Sequence, residues 1–169
     1  MKMFWMFVAG IVLCASQACA DTHNMMDCMM RMSSLTGKSS TAHERFGIVE
    51  DFLPSVVTEF NANKNRSNPN WTNEQVIAFG GAKAVAGSEL DFLQDWVDHY
   101  VDDEVLATAD GHLSIAYAAM GNGQYDVAWS HFDSAEVTYN DVNFWYQDYL
   151  DTCSWVAYMV SLLGPYAAP

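Results

Sequence analysis

Residues 141–163 read DVNFWYQDYLDTCSWVAYMVSLL, followed by Gly164-Pro165. Trp145, Tyr149, Thr152, Val156, Val160 and Leu163 recur at three- and four-residue steps, the signature of a helix with one apolar stripe. Phe144, Trp155 and Tyr158 extend the apolar surface to other faces, which places this helix centrally in a bundle. The Gly-Pro pair stops it.

Working back along the chain, most segments keep a period near 3.6, and no alternating Val/Ile/Thr run is long enough for a sheet. The expected fold is therefore all-α, a compact bundle of about six helices. A short helix over Asn24 to Leu35 is expected to end before Thr36-Gly37-Lys38-Ser39-Ser40. A second begins at Thr41, with Glu44 completing a capping box, and Pro54 predicts a kink or break within it. Thr72 or Asn73 caps a glycine-weakened segment to Ala86, and Ser88 caps a strong helix to about Ala107. His112–Met120 and Gln124–Tyr139 form an α-hairpin across Gly121-Asn122-Gly123. In that hairpin Tyr117, Gly121, Tyr125, Ala128, Phe132 and Ala135 resemble the helix-turn-helix of a tetratricopeptide repeat. The resemblance spans about 25 residues and departs in the turn, where Gly121 and Tyr125 stand two positions too far apart. There is no second copy. It marks an α-hairpin, and a match to the repeat implies a protein-binding scaffold.

The beginning of the chain reads as an address. Lys2, the apolar run Phe4 to Ala15 and the small-x-small Ala18-Cys19-Ala20 form a signal peptide over residues 1–20, cleaved before Asp21. The expected mature protein is secreted and extracellular, a single domain over 21–169. It retains two cysteines. An oxidising compartment suggests a Cys28–Cys153 disulfide joining the terminal helices. Asn65-Arg66-Ser67 and Asn70-Trp71-Thr72 are N-glycosylation sequons, so Asn65 and Asn70 are candidate glycan sites in a polar surface loop.

Composition narrows the partners. Seven Lys and Arg against 21 Asp and Glu give a net charge of −14, which repels nucleic acid. No apolar run reaches the ~20 residues of a membrane span. From Ala84 to Pro169 there is no Lys or Arg, and 14 carboxylates are present. Asp91, Asp95, Asp98 and Asp102 recur at helical steps, and Asp103 and Glu104 extend them into an acidic face. Such a face either engages a cation or cationic protein, or simply keeps the surface solvated.

The chemistry-bearing residues carry no strong signature. Asp98 to Glu104 lacks the ligand run of an EF-hand. Asp95 and His99 lie one turn apart, but no His-x-x-x-His or Cys-x-x-Cys pair accompanies them, and no metal site is assigned. His23, Met25, Met26, Cys28, Met29, Met30 and Met32 form a soft-ligand cluster suited to Cu(I), although Met equally fills cores and flexible binding surfaces. No nucleophile elbow, zinc-protease motif, phosphate loop or dinucleotide fingerprint occurs, so no catalytic residue or cofactor is expected. The reading is a secreted, acidic, helical binding protein that engages a protein or cationic partner without catalysis. The alternative is an extracellular carrier of a small apolar ligand, its aromatic residues lining a cavity between helices.

Overall fold

The computed structural model describes residues 22–102 and 104–164, so the expected signal peptide and Asp103 lie outside the described residues. The chain is all-α, as expected, but its helices are fewer and longer. They are α1 (Met25–Asn63), α2 (Asn73–Asp102), α3 (Val105–Gly121) and α4 (Tyr125–Leu163). Together these four pieces make three rods, because α2 and α3 form one interrupted strut.

Pair contacts give the topology. Cys28 Sγ meets Tyr125 O, Arg31 reaches Asp133 and Glu136, and Arg45 reaches Asn143, so α1 and α4 run parallel. Trp96 stacks on Tyr149, Tyr100 bonds Asp141 and His112 meets His131, so α2 and α3 run antiparallel to α4.

Each predicted break that failed did so for a packing reason. The α1 stripe Cys28, Leu35, Ala42, Phe46, Val49, Leu53 and Val56 is buried from end to end, and a loop at 36–40 would tear it. The polar residues there fold their side chains back onto the helix. Thr36 Oγ1 donates to Met32 O at 2.9 Å and Thr41 Oγ1 to Gly37 O at 2.9 Å, so Thr41 caps nothing. The true N-cap is Asn24, in a reciprocal capping box with Asp27. Pro54 sits on the exposed face and α1 continues past it. In α2 the glycines do not end the helix. A Cβ at Gly87 would lie 3.4 Å from Phe60 Cζ, so glycine there permits the close approach of α1. The expected start at Thr72 holds, with Thr72 and Gln75 capping each other.

On α4 the buried residues are Ala128, Phe132, Ala135, Tyr139, Val142, Cys153, Val156, Val160 and Leu163. Their spacing alternates four and three, with half-buried Tyr146 and Tyr149 filling the two vacant steps. This 3.5-residue period keeps one seam facing its neighbours along the whole helix, as in a coiled coil. It also runs through Asn140 without the expected break. The aromatic residues of the interior pack on one another, with Trp96 4.1 Å from Tyr149 and 5.3 Å from Phe46, ring centre to ring centre. Trp145 and Trp155, by contrast, are exposed. At the far end Phe79, Ala82 and Leu163 form a small second core under Trp71.

The expected disulfide is overturned by this topology. Cys28 lies beside Tyr125 at the start of α4, and Cys153 lies 28 residues further along that helix, ~42 Å away at 1.5 Å per residue. Parallel packing of the first and last helices carries the two thiols to different heights. Both are buried and unbridged to each other, and burial raises the Cys153 thiol to about 11. The intact mass of a chain comprising residues 21–169 is therefore expected to be unchanged by reductant, and its melting temperature equal with and without dithiothreitol. Phe132 is fully buried in the α4 seam, and Phe132→Ala should cost ~3–5 kcal/mol in chemical denaturation, with the m-value preserved.

Candidate functional site

The strut breaks where Asp102 closes α2 and Glu104, at φ 52°, adopts the left-handed conformation that starts α3. No side chain caps this start. An open groove of about 680 Å³ lies between the break and α4, lined by His99, Tyr100, Val105, Val137, Asp141 and Phe144 among others. Val137 and Phe144 are 71% and 74% exposed, so the groove offers apolar surface to solvent. Its polar wall is the Tyr100 hydroxyl donating to Asp141. Burial, then this bond, pushes the Tyr100 phenol well above its ordinary range.

Of the acidic face, Asp91 lines a separate groove with Lys64 and Lys83. Asp91, Asp95 and Glu104 are exposed, and Asp98 is half-buried, accepting from Gln94 Nε2 at 2.7 Å. The Asp102 backbone ends α2, while Asp103 lies outside the described residues. Asn65 and Asn70 are both exposed in the loop between α1 and α2. That loop is ~40 Å from the groove at the helix break, at 27 residues of helix.

Five other carboxylates of the acidic half, Asp110, Asp126, Asp133, Glu136 and Asp141, have partners from far along the chain. Arg31 reaches Asp133 and Glu136, each at 2.5 Å, and Lys38 bonds Glu136 and Asn140. The Lys38 bond, with the Arg31 charge behind it, holds Glu136 below the usual carboxylate range against the opposing effect of burial. Asp110 of α3 accepts from buried Tyr139 at 2.6 Å and from Ser39 Oγ at 3.3 Å, and lies 3.1 Å from His43 Nε2. Three rods meet at this one carboxylate. Burial first, then the Asp110 bond, raises Tyr139 to about 12. In this network the Ser39 hydroxyl meets the Asp110 carboxylate, while His43 Nδ1 bonds Ser39 O at 2.9 Å. His112 and His131 meet Nδ1 to Nδ1 at 2.8 Å, an imidazole bridge between α3 and α4.

A second polar centre holds the start of the described chain. Asp126 accepts from Thr22 N at 3.0 Å, Thr22 Oγ1 at 2.9 Å and His23 N at 3.1 Å, and lies 2.8 Å from His23 Nδ1. The His23 ring stacks on Trp129 at 3.9 Å, and the Arg31 guanidinium sits 4.6 Å from the same ring. Sequence reading did not find this clasp, nor the roles of Asp110, His43, Tyr139 and Asp141. Their partners lie 29 to 104 residues away, and only the register of the bundle joins them.

Among the described residues no three His, Cys, Asp or Glu side chains gather as a metal site, and no helix is long and apolar enough to cross a membrane. No family model, no curated protein and no solved structure matches the chain.

The Thr22 backbone bond, then the His23 ring, lowers Asp126 from 3.8 to about 2. A depressed carboxylate contributes its full stabilisation above the unfolded value and loses it as pH falls through the folded one. The clasp should therefore persist at pH 4 and release between 3.8 and about 2, read from the Thr22 and His23 amide NMR shifts. In Asp126→Asn those shifts should lack this titration.

Proposed function

We propose that the chain is a secreted, non-catalytic binding protein whose acidic surface from Ser88 to Glu136, with the adjoining groove wall of Val137, Asp141 and Phe144, engages a cationic protein partner. The observation that carries this reading is the groove at the helix break. Exposed Val137 and Phe144 stand there beside Asp141, on a stretch without a Lys or Arg from Ala84 onward. The basic residues that do pair with α4, Arg31, Lys38 and Arg45, are engaged along the α1 seam. A partner that covers apolar surface while supplying positive charge satisfies both features at once.

The carrier reading draws less support. The interior aromatic side chains Phe46, Trp96, Tyr100, Phe132 and Tyr139 pack against the bundle, and the grooves found are open to solvent. In the same proposal Asn65 and Asn70 bear glycans at the end of the bundle remote from the groove.

A Lys/Leu amphipathic peptide, with its Glu/Leu counterpart as control, tests the reading by titration calorimetry. The Lys/Leu peptide is expected to bind one to one and the Glu/Leu peptide not at all. Glu104→Lys with Phe144→Ser should weaken binding by about tenfold, ~1.4 kcal/mol. Glu59→Lys with Glu74→Lys adds more positive charge at exposed sites outside the proposed surface and should change it far less. Equal losses in both double variants would reduce the effect to net charge and overturn the site.

A further inference from the structure

Opposite its buried seam, α4 carries a second stripe. Val137, Phe144, Trp155 and Tyr158 share it with Asp141, Asp148 and Asp151, and the steps from each member to the next alternate four and three from Val137 to Tyr158. At 3.6 residues per turn all seven fall within an arc of about 100°, on the side away from buried Val142, Cys153 and Val156. The outer face therefore repeats the 3.5-residue period of the inner seam, the spacing with which one helix keeps another in line. The inner seam is covered by the rest of the bundle, whereas the outer one is bare among the described residues. Trp155 and Tyr158 are 46% and 53% exposed, and Val137 and Phe144 more so.

The exposed rings are grouped. Phe144 packs edge-on to Trp145 at 4.9 Å, and Trp155 lies 5.7 Å from Tyr158, ring centre to ring centre. Phe144 and Trp155 stand eleven residues apart, ~16 Å along the axis, and Asp148 and Asp151 lie between them. Apolar side chains gathered on one face and interleaved with charge mark an interaction surface.

The carboxylates decide what covers it. Asp141 accepts from the Tyr100 hydroxyl and Asp151 from Gln147 Nε2 at 2.9 Å, neutral donors that leave both charges uncompensated. Among the described residues no ion pair includes Asp141, Asp148 or Asp151. The cations that reach α4, Arg31, Lys38 and Arg45, meet it at Asp133, Glu136, Asn140 and Asn143, and α4 itself has no Lys or Arg. A second copy of the chain would set carboxylates against carboxylates, and an anionic lipid surface would be repelled by them. The complementary occupant is cationic, and the 3.5-residue period makes it a helix.

We infer that the outer seam of α4, from Val137 to Tyr158, docks one cationic amphipathic helix of a protein partner. Its apolar residues cover the Phe144 and Trp155 clusters, and its Lys or Arg residues meet Asp148 and Asp151 between them. The inference rests on the cationic-partner reading and extends it ~32 Å along α4, beyond the groove at the helix break. Apolar contact supplies the burial, and the carboxylates select against acidic helices.

The test uses a Lys/Leu peptide of about 22 residues, long enough as a helix to span the seam, with leucines at alternating three- and four-residue steps. Titration calorimetry should give one-to-one binding, with a blue shift of tryptophan emission that Trp155→Phe greatly reduces. Trp155→Ser with Tyr158→Ser should weaken binding by about tenfold or more, since truncating a central aromatic residue removes a main anchor. Asp148→Asn with Asp151→Asn should weaken it and flatten its salt dependence. Val76→Ser with Ile77→Ser, which removes exposed apolar residues of α2, should leave the affinity unchanged. No binding to the unaltered chain overturns the cationic-partner reading and the seam with it. Binding that Glu104→Lys with Phe144→Ser weakens, but that neither the Trp155/Tyr158 nor the Asp148/Asp151 variant changes, overturns the seam alone. A dimer in sedimentation that the Trp155/Tyr158 variant abolishes, or an equal blue shift on phosphatidylcholine vesicles, assigns the face to a second copy or to lipid and also overturns it.

Discussion

The parallel packing of α1 on α4 is the constraint on which the rest of the molecule depends. Two helices of 39 residues, ~58 Å each, lie side by side in the same direction, so the chain between them must travel back the full length. That return strut is α2 and α3. It is held by the continuous α4 seam from Ala128 to Leu163, whose alternating three- and four-residue spacing stays buried on every turn but the half-buried Tyr146 and Tyr149. Helices this long owe little to intrinsic propensity and much to such a stripe. The glycine and serine clusters that punctuate isolated segments are therefore overruled.

The polar contacts are consequences of the same register. Arg31 and Lys38 are among few cations in an acidic chain, and the parallel pairing brings them to Asp133 and Glu136. Asp110 reaches Ser39 and His43 on one side and Tyr139 on the other, because the strut packs against both long helices at that height. Where the strut breaks, at Glu104, the groove beside Asp141 lies between it and α4. The proposed binding groove thus lies at the interruption of the fold.

Much of the fold was legible in the sequence. The inward residues Leu90, Leu93, Trp96, Val97 and Tyr100 are buried, and the α4 positions Val156, Val160 and Leu163 are fully so. The hairpin turn at Gly121-Asn122-Gly123 is present, with Gly123 at φ +73° supplying a conformation that side-chain-bearing residues disfavour. The helix count was not legible, since local breaker residues describe what a segment prefers alone. Thr36, Gly37 and Thr41 sit inside a helix because Leu35, Ala42 and Phe46 must stay on one line. The disulfide expectation failed similarly. Two cysteines near the ends of a chain say nothing about whether those ends meet, and here they lie at different heights.

The sequence by itself determined the helical class, the charge segregation and the exposed loop of Asn65 and Asn70, because periodicity, charge and turn residues act within a few positions. Only the tertiary structure decided which carboxylates find partners, where the groove lies and that Thr22, His23 and Asp126 converge. Those depend on the direction and register of helices a hundred residues apart. Register is set by the summed packing of entire stripes, a quantity that no local window contains.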